Sequence, residues 1–354
     1  MSYGDSARTV ARPTRATVYG RRRGRRVLLG MVFAVLLTLA VFPAVQHKLN
    51  GTPSAKPQTR VAREGVRWPQ QGQGALVLEN GRPAVSPDEQ PVPIASVAKV
   101  MTAYLVLKHY PLSGVQEGFT TTVTASQAQA ETQDASEGGS VVAVQAGEQL
   151  NERQLLDALL IPSGNNIAEM LAALMAGSET RFLAEMNAEA RVLGMDHTIY
   201  TDPSGFDPST VSTAADQLHL FQQAMRFPVF REIIATASVT LPVVGTVTNF
   251  NPLIDEGYAG KTGSDAEAGG CLAFFTHVTV SGRRLTAIGV VMGQGQGNDT
   301  STLIAAAAEA AEQLVQSVAP TTSLPTRPAF GPGAPGSPGD GVAPRALGRP
   351  SELS

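Results

Sequence analysis

The sequence predicts an α+β fold. Two observations carry that reading: strand-like segments stand at both ends of the folded part, and helical apolar patterns fill the stretch between them. At the front, Ala75-Leu76-Val77-Leu78 and Pro83-Ala84-Val85 flank Glu79-Asn80-Gly81-Arg82, which predicts a hairpin with an Asn-Gly turn. Ser96 to Leu107 then has helical apolar spacing. Asn151 to Ile161 opens on a capping residue and carries Leu155, Leu156, Leu159 and Leu160 as an amphipathic helix. Ile167 to Met175 and Phe182 to Leu193 continue the pattern, the second stopping at Gly194 as helices often do. Thr213 caps a helix through Met225. The character then changes. Gly270 to Val280 and Leu285 to Met292 are strand-like, and the alanine-rich Ser301 to Val315 forms a final helix. No fixed-period repeat is evident.

Composition bounds the rest. Of 354 residues, 43% are apolar, enough for a sizeable core, and a single Cys excludes a disulfide framework and any cysteine-rich metal site. Five His are scattered without ligand spacing, which argues against a zinc enzyme. The net charge of −3 conceals an asymmetry: residues 1–26 hold eight Arg against one Asp, about +7, leaving roughly −10 on the remainder. An acidic body argues against nucleic acid as a partner, since phosphate binding needs a basic surface.

Arg21, Arg22, Arg23, Arg25 and Arg26 directly precede Val27 to Val45, 19 residues without a charge. As a helix this run spans about 28 Å, close to the hydrocarbon thickness of a bilayer. Its end, Val41-Phe42-Pro43-Ala44-Val45, puts a bulky Phe where signal cleavage wants a small residue, which favours an uncut anchor over a cleaved signal. With the basic flank in front, the positive-inside rule leaves the bulk of the chain outside the cytoplasm. The expected organisation is a basic cytoplasmic segment 1–26, a transmembrane anchor or signal 27–45, a linker 46–69, one folded unit 70–318, and a Pro/Gly-rich tail 319–354 whose composition predicts disorder.

Lysine is scarce and therefore informative. Against 22 Arg there are five Lys, and beyond residue 60 only Lys99, Lys108 and Lys261. Arg keeps its proton at any accessible pH, whereas a buried Lys loses it, so work needing a neutral amine falls to one of these three. Ser96-Val97-Ala98-Lys99 opens a predicted helix, and three residues are nearly one turn, so hydroxyl and amine share a side. That is a nucleophile beside a base, with the Ser96 N–H at the helix start able to donate to an oxyanion. Ser163-Gly164-Asn165 follows the apolar helix and Pro162. Lys261-Thr262-Gly263 follows Tyr258-Ala259-Gly260 and precedes the strand at Gly270. Small residues at a strand edge let a substrate backbone come close, and Lys with Thr offer donors to a carboxylate. Each pattern alone has a plain structural reading: an N-cap with a solvated lysine, a turn with a cap, and an ordinary turn. Their joint order and contexts are far more specific. Lys108 lies in no such pattern.

At these residues the sequence resembles the active-site serine penicillin-recognising enzymes, and within them the D-alanyl-D-alanine carboxypeptidase family, the low-molecular-mass penicillin-binding proteins. The likeness runs from about Gly74 to Leu314. It includes Pro93-Ile94-Ala95 ahead of Ser96, Leu193-Gly194-Met195, Thr201-Asp202-Pro203-Ser204-Gly205-Phe206, Ser212-Thr213-Ala214, Asn249-Phe250-Asn251 and Ala268-Gly269-Gly270-Cys271. The resemblance implies a β-lactamase/D,D-peptidase-like fold, an antiparallel sheet flanked by helices with an inserted helical subdomain, and makes 70–318 the catalytic domain. It implies an enzyme that trims the terminal D-Ala from peptidoglycan stem peptides and is inhibited by β-lactams. In such an enzyme Ser96 would attack the carbonyl between two D-Ala residues and carry the acyl group. Lys99 would be its base, kept partly neutral by burial and by Lys261. Ser163 would relay a proton to the leaving amine, and Asn165 would bind the substrate backbone and hold Lys99. Lys261 and Thr262, followed by Gly263 on the same strand, would bind the terminal carboxylate. The N–H groups of Ser96 and Ser264 would form the oxyanion hole. No metal or cofactor is needed.

The sequence also departs from the family. Many members carry an aromatic residue or His and then Thr after Lys-Thr-Gly, where Ser264-Asp265 stand here, and Ala98 replaces a common Thr. Many place an Arg after the last strand to hold the terminal carboxylate. Gly293-Gln294-Gly295-Gln296-Gly297-Asn298-Asp299 has none, which leans towards endopeptidase cleavage of cross-links. The usual C-terminal β-domain and amphipathic anchor are not read in the sequence, and the N-terminal span would replace that anchor. A β-lactamase is disfavoured because no clear Glu-x-x-Leu-Asn segment is present. A catalytically weak wall-binding module is disfavoured by the intact Ser96, Lys99, Ser163, Asn165 and Lys261. Cys271, alone in an apolar strand, reads as a buried small residue.

Overall fold

The computed structural model describes residues 65–319 apart from Glu137. The basic segment, the anchor or signal, most of the linker and nearly all of the tail fall outside these residues. Among the described residues no helix is long and apolar enough to cross a membrane.

The first half of the chain runs β1 (Gln73–Leu78), β2 (Ala84–Val85), β3 (Val92–Pro93), α1 (Lys99–His109), β4 (Thr120–Thr122), α2 (Ala125–Ser136), β5 (Gln149–Asn151), α3 (Glu152–Leu160), α4 (Asn165–Ala176) and α5 (Glu179–Val192). It continues through β6 (Val211–Ser212), α6 (Ala214–Ala224), α7 (Pro228–Ile234), β7 (Ser238–Leu241), β8 (Gly245–Thr248), β9 (Ala259–Asp265), β10 (Gly269–Val280), β11 (Arg283–Gln294) and α8 (Thr300–Val318). One five-stranded antiparallel sheet has the order β2-β1-β11-β10-β9. First and last strands of the chain thus meet at its centre, and the helices from α1 to α7 are inserted between them.

Strand alternation sorts the core into two layers. Ala75, Val77, Ala273, Val290 and Met292 pack with the helical layer, around Val97, Met101, Leu218 and Phe221. Leu76, Leu78, Leu272, Phe274 and Val291 point the other way, onto Ala307, Ala311 and Leu314 of α8. Every residue of β1 is buried, as a strand covered on both faces requires.

The expected elements form, with shifted bounds. The front hairpin pairs Leu76 with Ala84, but Leu78 and Glu79 stay committed to β11, so the connection is wider than a two-residue turn; of its Asn-Gly pair only Asn80 takes a positive φ, 60°. Asn151 caps α3 through a reciprocal pair, its Oδ1 accepting from Gln154 N at 2.8 Å while Gln154 Oε1 accepts from Asn151 N at 2.9 Å. Thr213 caps α6 by accepting from Asp216 N. Gly194 takes φ 71° just past α5. The helix expected from Ser96 instead begins with a 3₁₀ turn, Ala95–Ala98, before α1. The mostly polar α2 and the ribbons β4–β5 and β7–β8 carry too little apolar period to be read from the sequence.

Candidate active site

The residues ahead of and within the first two motifs are held in strained backbone. Ala95 has φ 44° and Ser163 φ 65°, left-handed values that cost a residue with a Cβ and persist only where packing fixes them. Gly205, φ 81°, abuts this turn: a Cβ there would lie 1.9 Å from Ala95 O. Gly263 is held equally close, since a Cβ would stand 2.9 Å from Ser96 N and 3.0 Å from Val97 N. The small residue expected to admit a substrate backbone therefore first admits the protein's own, bringing β9 against the turn that carries Ser96.

Ser96 and Lys99 do share a side. Lys99 is fully buried, and its Nζ lies 2.8 Å from Ser96 Oγ, 2.7 Å from Asn165 Oδ1 and 3.0 Å from Ser204 O. Burial lowers its pKa to about 7, against an upward pull from the Asp202 carboxylate. Lys261 is also buried, donating to Ser163 Oγ at 2.9 Å and to Thr262 O at 2.7 Å. Its pKa falls well below the usual lysine value, through burial first and the charge of Lys99 second. For Lys99, desolvation rather than Lys261 is what favours the neutral amine.

The three motifs converge. Ser96, Ser163, Asn165, Thr262, Gly263 and Ser264 line one cleft of about 300 Å³, and Lys99 and Lys261 lie behind Ser96 and Ser163. β9 is the edge strand, so its outer N–H and C=O groups face away from β10. Phe206 and Phe250, each about half exposed, also line the cleft.

Other residues support the site without having been assigned a role from the sequence. The Asp202 carboxylate accepts from Ser204 N, Ser204 Oγ, Phe206 N and Thr210 Oγ1, which fixes the loop that offers Ser204 O to Lys99. Thr102 Oγ1, one turn along α1, donates to Pro203 O at 2.7 Å. Asn166 holds Val142 by both backbone groups, and Asn165 N donates to Ser140 O, so α4 pins the wall of the cleft that carries Ser140. The Asp-Pro-Ser-Gly run was the available signal for Asp202; nothing local marks Thr102 or Asn166. Lys108 takes no part, forming an ion pair with Glu189 at 2.6 Å. Cys271 is fully buried with its thiol pushed up to about 12, inert as a nucleophile.

At the start of α1 a buried amine thus stands between a serine and an amide, beside the edge of an antiparallel sheet covered by helices. Residues 84–296 match the family model described as D-alanyl-D-alanine carboxypeptidase, and the chain belongs to that family. It is 36% identical over 169 residues to a D-alanyl-D-alanine carboxypeptidase of Mycobacterium tuberculosis, covering 47% of this chain and 54% of that protein, so the match spans about half the relative's length. It is 30% identical over 260 residues to a D-alanyl-D-alanine endopeptidase of Pseudomonas aeruginosa, covering 70% of this chain and 78% of the relative. Among solved structures, a mutant of a Streptomyces DD-transpeptidase superposes with a TM-score of 0.59 at 25% identity, covering 70% of this chain and 96% of the other.

Proposed function

We propose that the protein is a serine D-alanyl-D-alanine carboxypeptidase that removes the terminal D-Ala from peptidoglycan stem peptides and is acylated by β-lactams. One observation carries the reading: the Lys99 amine has three neighbours, of which only Ser96 Oγ has a proton to give. A neutral amine has two N–H groups and one lone pair. Its two donors go to Asn165 Oδ1 and Ser204 O, which leaves the lone pair for the Ser96 hydroxyl. Lys99 takes that proton as Ser96 Oγ attacks the carbonyl carbon, and the N–H groups of Ser96 and Ser264 receive the developing oxyanion. Ser163 gives its proton to the leaving D-Ala nitrogen and is resupplied with the one Lys99 took from Ser96, which returns Lys99 to its neutral form. The incoming terminal carboxylate, bound by Thr262 and Lys261, favours the charged form of Lys261 that burial alone disfavours. Water, deprotonated by Lys99, then hydrolyses the ester.

A second reading, endopeptidase cleavage of cross-links, is favoured by one feature: no Arg or Lys is among the described residues lining the cleft, where Asn298 and Thr300 stand at the start of α8. The Pseudomonas aeruginosa relative carries that activity in its name. We also propose that residues 27–45 tether the catalytic unit 70–318 outside the cytoplasm, on the strength of the Arg cluster and the 19 uncharged residues that follow it.

The test is to expose the full chain to labelled benzylpenicillin and, separately, to a peptide ending in D-Ala-D-Ala. Covalent label on Ser96 and free D-Ala are the expected results. Label without D-Ala shifts the assignment to the endopeptidase. Neither, in folded protein, overturns the reading.

A further inference from the structure

Among the described residues that line the cleft, Asp265 carries the one carboxyl group. It ends β9, one residue past Ser264. Its Oδ1 closes the turn into β10, accepting from Glu267 N at 2.9 Å and Ala268 N at 2.5 Å. Oδ2 has no hydrogen bond and the carboxylate no ion pair among the described residues. The nearby Glu267 adds to the negative field. Lys261 cannot answer it, since its Nζ is turned to Ser163 and Thr262.

The direction of the substrate follows from the roles proposed above. With the terminal carboxylate at Lys261 and Thr262 and the scissile oxygen at Ser264 N–H, an extended peptide advancing about 3.3 Å per residue leaves β9 past Asp265 with its acyl portion. The carboxylate therefore meets the side chains that precede the D-Ala pair, not the leaving residue. We infer that Asp265 selects peptides bearing an ammonium group on a side chain of that acyl portion. This rests on the carboxypeptidase reading.

The experiment compares diacetyl-Lys-D-Ala-D-Ala, whose lysine amine is capped, with Nα-acetyl-Lys-D-Ala-D-Ala, whose amine is free. The wild type favours the free amine by about fivefold in kcat/KM, through KM. Asp265→Asn keeps an Oδ1 acceptor for the turn, so it retains benzylpenicillin labelling and turnover of the capped peptide, and the ratio falls to about one. Asp265→Lys reverses the ratio. A wild type that releases D-Ala equally from both peptides, or an Asp265→Asn variant with the wild-type ratio, overturns the inference while leaving the enzyme assignment intact. A wild type that releases D-Ala from neither overturns both.

Discussion

Lys99 and Glu152 are both buried ionisable groups, and burial moves both to a pKa of about 7, the lysine downward and the glutamate upward. They also sit on connected elements, since Glu152 opens α3 and the loop after α3 carries Ser163. Their surroundings differ. Around Lys99 every neighbour is a defined polar atom, and the neutral amine is aimed at one hydroxyl. At Glu152 the carboxylate is packed over Gly118, where a Cβ would stand 2.1 Å from Oε2, and Oε1 has no hydrogen-bond partner. A shifted pKa thus records burial in both places, and only the neighbouring geometry separates a base from a carboxylate answered by no more than the Phe119 backbone N–H.

The sharpest way to break this comparison is at Lys99. Lys99→Arg, which keeps the charge and cannot release its proton, and Lys99→Met, which removes the amine, each slow acylation by about a thousandfold or more. Retention of the near-ultraviolet circular dichroism spectrum separates lost chemistry from lost structure. An acylating Lys99→Arg variant removes Lys99 from the role of base. The wild-type acylation rate rises with pH through about 7, because the reactive form is the deprotonated amine. Stability shifts in the same direction over a higher window. Above about 7 native Lys99 has lost a proton that the unfolded chain keeps to about 10.5, so the unfolded state binds more protons and stability rises with pH between those values. Asn165→Ala is the intermediate test: it removes one of the two acceptors that orient the amine and costs about a hundredfold in acylation rate, with the apparent pKa of the rate profile displaced.

The same comparison shows what a sequence can disclose. The sheet strands, α3 and α8 were legible because apolar alternation and capping residues act locally, and the convergence of Ser96, Lys99, Ser163, Asn165, Lys261 and Thr262 was legible because the lysines are few and the motifs ordered. The left-handed Ala95, the Ser204 carbonyl and the Asn166 clamp were not. Each depends on a contact made by chain distant in sequence: Gly205 against Ala95, Ser204 against Lys99, Asn166 against Val142. A backbone carbonyl is the same in every residue, so its use as an acceptor leaves no trace in composition. Glu152 was invisible for the opposite reason, because a glutamate in the first turn of a helix is the usual surface choice. Nothing in its neighbours along the chain announces that Phe119 and Gly118 close over it.

The smallest expected effect has the opposite sign. Native Glu152 holds its proton to about 7 while the unfolded chain releases it near 4.5, so the native state binds more protons in that window and stability falls as pH rises through it. The penalty is complete above 7. Glu152→Gln deletes the charge while keeping the shape, and so gains about 1 kcal/mol over the wild type at pH 8 and little at pH 4, measured by urea unfolding at both. Glu89, also raised to about 7, leaves the variant a residual slope over the same range. Benzylpenicillin acylation stays within about twofold of wild type, since Glu152 touches none of the groups around Ser96. A variant less stable than wild type at pH 8 means the Phe119 N–H compensates the burial of the carboxylate in full. In that case the contrast with Lys99 becomes one of purpose rather than of satisfaction.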